Sequence, residues 1–115
     1  LVGSIGVVAM HQDVSKAELV LLHCVAAYPA TDEEVNLMVI PEMQRRYGLR
    51  VGFSDHTLGI DISLGAAALG VVVIEKHFTT DAKLPGGDNE ISILPGELSQ
   101  LIEGCRRIRL ALGCS

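Results

Sequence analysis

Tryptophan is absent and aromatics make up only 3% of the 115 residues, so the core of a chain that is 49% hydrophobic has to be aliphatic. That length leaves room for one domain of modest size. Basic residues are the scarcer charge, nine Lys and Arg against fourteen Asp and Glu, which gives a net charge of −5 and a pI near 5.2. Such a balance argues against nucleic acid or an anionic membrane surface as a partner. Cysteine is sparse: Cys24, Cys105 and Cys114 are odd in number and lack close-pair spacing, which speaks against a disulfide framework or a zinc ribbon. Long apolar runs are missing as well. The longest, Leu64 to Ile74, contains two glycines and falls well short of the roughly 18 residues a spanning helix needs. No charged leader with a cleavage site opens the chain, so it reads as soluble and cytoplasmic. It starts on Leu1 and stops at the end of a helical pattern, as expected of a piece of a longer polypeptide.

What is present is a repeated pattern. Arg50-Val-Gly-Phe-Ser-Asp-His-Thr57 and Val71-Val-Val-Ile-Glu-Lys-His-Phe-Thr79 are both short β-branched runs that end in polar residues and a histidine. Between them, Gly59 to Gly70 is rich in Leu, Ile and Ala and long enough for one helix, which makes a βαβ unit. Side chains alternate along a strand, so Gly52, Ser54 and His56 should share one face, opposite Val51 and Phe53. Likewise Val71, Val73, Glu75 and His77 should share a face, opposite Val72, Ile74, Lys76 and Phe78. Both histidines then stand at the carboxyl ends of parallel neighbours about 5 Å apart. Either alone reads as a hydrogen-bonded core histidine. Together they read as two imidazoles that can close on one divalent transition metal.

Elsewhere the chain alternates in the same way. Leu1 to Met10 is apolar with Gly3 and Gly6, a pattern that does not choose cleanly between the tail of a helix and a strand and leans to helix, and Gln12 to Lys16 reads as a turn. Glu18 to Val25 is a continuous apolar run of strand length, in which Cys24 is expected to be a buried, inert thiol. Pro29 disfavours helix at Tyr28, so that side chain is presented from a loop beyond the strand's end. Thr31 with Glu34 resembles a capping box, and Asn36 to Tyr47 carries Leu37, Ile40, Met43 and Tyr47 at helical spacing up to Gly48. Thr79 to Ile93 is a long loop of the kind that usually carries function. Pro95 opens a last helix whose Leu98, Leu101, Ile102, Cys105, Ile108, Arg109 and Leu112 fall at i, i+3, i+4 and i+7 spacing.

The order βαβαβα implies a parallel sheet covered by helices, either an open doubly wound sheet or part of a (β/α)8 barrel. No Gly-x-Gly-x-x-Gly follows a strand, which weakens a dinucleotide site. Polar groups at three successive strand ends, Tyr28, Ser54 with His56, and Glu75 with His77, match a barrel whose chemistry lies on its carboxyl face. A full barrel takes about 250 residues, so this is less than half of one.

The blocks Leu21-Leu-His-Cys-Val-Ala-Ala-Tyr-Pro29, Asn36-Leu37, Val51-Gly-Phe-Ser-Asp-His-Thr57, Ile74-Glu-Lys-His-Phe-Thr79 and Leu84-Pro-Gly-Gly-Asp88 together resemble the sialic acid synthase family. The resemblance runs from Leu19 onward, in order and with family-like spacing. It implies an α/β fold, the last three βα units of a (β/α)8 TIM barrel, with the barrel's first half and the family's antifreeze-like domain lying outside residues 1–115. It implies condensation of phosphoenolpyruvate with N-acetylmannosamine or a related amino sugar, with release of phosphate. A divalent metal assists, Mn²⁺ in the family with Mg²⁺ or Co²⁺ as alternatives. On this resemblance His56 and His77 are the metal ligands, Tyr28 and Ser54 contact phosphoenolpyruvate, and Asp88 binds the acceptor sugar.

Glu75 shares the face of His77, one pleat inward, and is the catalytic candidate: it can orient a metal-bound water or pair with a basic group. Asp55 is expected to brace His56 by a hydrogen bond, as metal-binding imidazoles commonly require. Lys76 should face the helices, its charge reaching water or a carboxylate, while His23 reads as a core histidine and His11 as a surface one. Ala26 departs from the family's small polar residue, and Gly87 and Asn89 flank Asp88 where Pro and His are frequent. Further catalytic groups of the family lie in the absent half, so the isolated chain is expected to be inactive. Two other readings stand beside this one. The first is a non-catalytic half-barrel that self-associates, or that docks a complementing half, through open edges and a bare inner face. The second is another phosphoenolpyruvate-dependent sugar-acid synthase, which a cysteine ligand would favour; Cys24 has no support in that role.

Overall fold

A computed structural model of the protein describes residues 4–9, 19–83 and 89–113. Its sheet has the strand order β1-β4-β3-β2, formed by β1 (Ser4–Ala9), β2 (Val20–Cys24), β3 (Arg50–Asp55) and β4 (Val73–Phe78). The last three strands are mutually parallel, while β1 runs antiparallel along β4 with Ile5 opposite His77 and Val7 opposite Glu75. The expected three-stranded parallel core with helices is therefore present. The leaning of Leu1 to Met10 toward helix is overturned over Ser4–Ala9: that run satisfies its backbone groups on the β4 edge instead. One expected open edge is thereby covered, and among the described residues the outer edge of β2 is the other.

Between β2 and β3 lie α1 (Asp32–Val35) and α2 (Val39–Tyr47), between β3 and β4 lies α3 (Asp61–Ala68), and α4 (Pro95–Leu112) follows a short 3₁₀ turn at Asn89–Ile91. The Thr31–Glu34 pair does cap a helix, since Thr31 N donates to Glu34 Oε2 at 2.9 Å, but it opens only the single turn of α1. Asn36 then adopts a left-handed conformation (φ 47°) and breaks the helix, so α2 begins at Val39, with Pro41 tolerated in its first turn. Gly48, at φ 61°, stops α2 as its position suggested. Pro95 occupies the first turn of α4, where its missing N–H costs nothing, and Glu97 Oε1 accepts the Leu94 N–H at 3.1 Å.

The core lies between the sheet and its helices. Val51 and Phe53 of β3 and Ile74 of β4 point into it, met by Ile40 of α2, Ala66 and Ala67 of α3, and Leu101 and Cys105 of α4. Each fully buried large aliphatic or aromatic side chain here contributes about 1.5–3 kcal/mol of transfer free energy. Alternation in β4 holds from Val73 onward. Val71 precedes the strand and is buried in the helix-side core, so it does not join Val73 on the site face. In α4 the buried seam is Leu101 and Cys105 with Leu98 and Ile108 packed against it, whereas Ile102 and Leu112 face outward.

Among the described residues no helix covers the opposite face of the sheet, where Ser54 and His56 are nonetheless buried. Leu22, Cys24 and Tyr28 are exposed there, so Cys24 is not the buried thiol the apolar run suggests. An apolar strand is buried on both faces only when both faces are covered, and here helices cover one. Among the described residues no helix is long and apolar enough to cross a membrane.

Candidate active site at the strand ends

Strand register brings the polar side chains together. Ser54 lies beside Glu75 and Asp55 beside Lys76 in the β3–β4 ladder, so His56 and His77, one residue further along each chain, stand side by side on the face away from the helices, His56 buried and His77 half-buried. Their ring centroids are 5.5 Å apart with the planes tilted by 40°. Tyr28, four residues beyond the end of β2, packs its ring at 4.4 Å from His56 and 6.1 Å from His77, centroid to centroid. Three side chains from three successive strand ends thus converge, as the sequence pattern implied.

His56 is held at several points. Its Nδ1 donates to the Val25 carbonyl at 2.8 Å, and its own carbonyl accepts the Ala30 N–H at 3.0 Å. A carbonyl can only accept, so the proton of a neutral ring sits on Nδ1 and the lone pair on Nε2. The brace expected from Asp55 is therefore supplied by the backbone of Val25. Asp55 points to the other side of the sheet, because it alternates with Ser54 and His56. There its carboxylate accepts from Thr57 N at 2.8 Å, Thr57 Oγ1 at 2.6 Å, the Ser63 hydroxyl, and Lys76 Nζ at 3.2 Å. Lys76 is buried, and of the two destinations open to its charge it takes the carboxylate.

His77 is fixed through its backbone, whose carbonyl accepts the Ile93 N–H at 2.9 Å, while Thr79 N donates back to Ile93 O at 3.0 Å. The segment after the long loop is thus tied directly to the end of β4. Ser54 Oγ donates to Glu75 Oε1 at 2.8 Å, on the same face as the histidines. His23 lies on the helix side, as expected, with its Nε2 2.6 Å from the Val35 carbonyl and its ring stacked on Phe53. Asp88 and His11 lie outside the described residues.

Two imidazoles on one ion must meet a simple geometric condition. With a metal–nitrogen bond of about 2.0–2.1 Å and the ring centre about 1.2 Å beyond the nitrogen, two ligands at roughly 90–110° have centroids about 4.7–5.4 Å apart. The observed 5.5 Å lies just beyond the wide end of that range, so a small rotation of either ring would bring both nitrogens onto one ion, and the Nδ1 bond of His56 is the kind of outer contact that orients a ligating imidazole. Among the described residues no third His, Cys, Asp or Glu joins them, so such an ion would keep open positions. The Cys24 sulfur lies 3.8 Å from Nδ1 of His56, the nitrogen turned toward the protein, which does not suit it as a ligand to the same ion.

Residues 4–115 match the NeuB family. The chain belongs to that family. It is 47% identical over 98 residues to the N,N'-diacetyllegionaminic acid synthase of Campylobacter jejuni, covering 85% of this chain and 29% of that protein. It is 44% identical over 93 residues to the human N-acetylneuraminate-9-phosphate synthase, covering 80% and 26% respectively. Among solved structures, the N-acetylneuraminic acid (sialic acid) synthetase of Leptospira borgpetersenii superposes with a TM-score of 0.80 at 45% identity, over 84% of this chain and 34% of that one. This NeuB-family chain therefore spans less than a third of the length of the two curated relatives. Its fold is the α/β arrangement of sialic acid synthases, consistent with part of a barrel.

Proposed function

We propose that this chain supplies part of an active site, centred on His56 and His77, in which phosphoenolpyruvate condenses with N-acetylmannosamine or a related amino sugar and phosphate is released. The observation that carries the reading is the 5.5 Å approach of the two imidazoles beside Tyr28, at the strand ends where such barrels hold their chemistry. The names of the relatives, synthases of legionaminic and neuraminic acids, support the substrate class. A divalent ion, Mn²⁺ or else Mg²⁺ or Co²⁺, would be held by His56 and His77 and supply Lewis acidity toward the sugar aldehyde.

The chain's own residues would then bind and orient. Val25, by taking the Nδ1 proton, would leave the Nε2 lone pair of His56 as the ligating one, and Tyr28, its ring packed against His56, would supply a hydroxyl. Glu75, fixed by Ser54, presents a carboxylate on the same face to orient water or pair with a basic group. Asp88 would bind the acceptor's hydroxyls. Since the chain covers 29% of its Campylobacter relative, the remaining groups must come from a complementing barrel half, and the 115 residues alone are expected to be inactive. Cytoplasmic location follows from the same reading, because phosphoenolpyruvate is a cytoplasmic metabolite.

The test is a transplant of residues 19–113 into the Campylobacter synthase in place of its matching segment, assayed with phosphoenolpyruvate, the relative's own amino sugar and Mn²⁺. Turnover that disappears on His56→Ala supports the reading. A folded chimera that neither binds Mn²⁺ nor turns over refutes it, and product made by the isolated chain refutes its inactivity. A second reading, self-association of a non-catalytic half-barrel, is favoured by the uncovered β2 edge and exposed Leu22. A clean monomer in sedimentation at high concentration rules it out.

A further inference from the structure

We propose that the buried Asp55–Lys76 ion pair is a clasp that sets the separation of the His56 and His77 rings, with both residues acting as positioning groups. The inference rests on reading those rings as a cation site. Each member of the pair precedes one histidine in the chain and points to the opposite face of the sheet. Asp55 and Lys76 are also the last partners in the β3–β4 ladder, so no ladder bond ties the two histidines to one another. Val25 and Ala30 hold His56, and Ile93 holds His77, each from its own side; the side-chain contact that ties the two strand ends to each other just before the rings is this one, 3.2 Å long between side chains that are 0% and 2% exposed.

The clasp grips the backbone on both sides of His56. Asp55 takes the Thr57 N–H and hydroxyl on one oxygen and the Ser63 hydroxyl and Lys76 ammonium on the other. Lys76 Nζ donates in turn to the Thr57 carbonyl at 2.7 Å. His56 is thus the middle residue of a three-residue turn whose first side chain and last carbonyl are both held by β4. Stability alone does not call for such a pair, because replacing a buried ion pair with apolar residues of similar volume is often neutral or stabilising. The pair's neighbours on this face are apolar Val51, Phe53 and Ile74 together with buried Thr57 and Ser63, whose polar groups bond to it. A pair with this many directional partners is suited to fixing geometry, and the geometry it fixes here is that of the two imidazoles.

The experiment uses the 115-residue chain, titrated with Co²⁺ and followed by visible absorption, together with ¹⁵N NMR of the imidazoles without metal. In the double variant Asp55→Asn/Lys76→Met both charges disappear. The expected result is a lowered urea midpoint in a still cooperative transition, because the Thr57 carbonyl loses its donor, together with a Co²⁺ dissociation constant raised about tenfold or more and an altered Co²⁺ spectrum. The NMR arm should show His56 as a single Nδ1–H tautomer in the unsubstituted chain and as an exchanging mixture in the double variant. Unchanged affinity and unchanged imidazole signals overturn the clasp. If the unsubstituted chain binds no Co²⁺, the cation-site reading fails, and the imidazole signals alone still decide whether the pair positions His56. Should the double variant not fold, isosteric Thr57→Val removes one bond to Asp55. A rise of about threefold in the dissociation constant, or a shift in the His56 signals, then supports the clasp, and no change in either overturns it.

Discussion

Ser54 and Glu75 share one proton: Ser54 Oγ donates to Glu75 Oε1 at 2.8 Å across neighbouring parallel strands. A hydroxyl has a single hydrogen to donate, and a phosphate or carboxylate oxygen can only accept. Ser54 therefore cannot donate to Glu75 and to phosphoenolpyruvate together while Glu75 is ionised. Glu75→Gln exchanges an obligatory acceptor for a group whose amide N–H can donate to Ser54 and release its proton. In the chimeric synthase we expect Glu75→Gln to leave the KM for phosphoenolpyruvate unchanged or lower while reducing kcat. Ser54→Ala should raise that KM about fivefold or more, the loss of one hydrogen bond to a charged group. Equal effects of the two substitutions on KM would show that Ser54 serves Glu75 alone.

The two histidines should behave as one unit toward metal. Removing either imidazole leaves a single ligand, so His56→Ala and His77→Ala are each expected to weaken Mn²⁺ binding by about 100-fold or more, and the double variant should be little worse than either single one. Isothermal titration of the chain and its three variants measures this. In the chimera, chelation with EDTA should abolish turnover and added Mn²⁺ restore it. Independent, additive losses would mean that the rings serve separate sites.

Gly52 is the residue that lets the strands close. A Cβ there would run into Leu22 Cδ2 on β2 and into the Val73 carbonyl oxygen at the start of β4. Leu22 is a half-exposed side chain and can swing away, but the Val73 oxygen is backbone. Gly52→Ala should therefore destabilise the chain by about 1–3 kcal/mol, and Leu22→Ala should rescue only part of that loss. Chemical denaturation of the two single variants and the double decides it. Full rescue would place the whole clash on Leu22.

Much of this arrangement was legible in the residues, and the failures have identifiable physical origins. Period-two alternation through Ser54 and His56, with Glu75 and His77, was enough to put four groups on one face, and Pro29, Gly48 and Pro95 marked ends correctly. The same alternation carries a further signal: if Ser54 and His56 share the site face, Asp55 and Lys76 share the helix-side face, where their pairing follows. The Val25 carbonyl that holds His56 could not be read, because a backbone acceptor has no sequence signature. The strand at Ser4–Ala9 was missed because its partner is the edge of β4, far along the chain, and local propensity does not report distant partners. Cys24 was misjudged because an apolar run says that both faces suit burial, not that both are covered.

Thiol chemistry tests the exposure of the face away from the helices. Cys24 is exposed, whereas Cys105 is buried among α4 and its neighbours, and that burial pushes its thiol above the ordinary value of 9.0. Alkylation with iodoacetamide at pH 8, followed by peptide mass mapping, should modify Cys24 within minutes and leave Cys105 intact until the chain unfolds. The raised value also sets the sign of a pH effect. The folded state holds the Cys105 proton more tightly than the unfolded state, so this contribution to stability is complete below the unfolded pKa. It declines as the pH rises through 9.0 toward the folded value, because the unfolded chain ionises first. Urea midpoints for the unsubstituted chain should therefore fall between pH 8 and pH 10 more steeply than those of Cys105→Ala, which carries no ionisable group at that position. Parallel slopes for the two proteins would mean that the buried thiol adds nothing to the alkaline loss. Rapid labelling of Cys105 in the native state would mean that α4 is not packed on the core through Leu101 and Cys105.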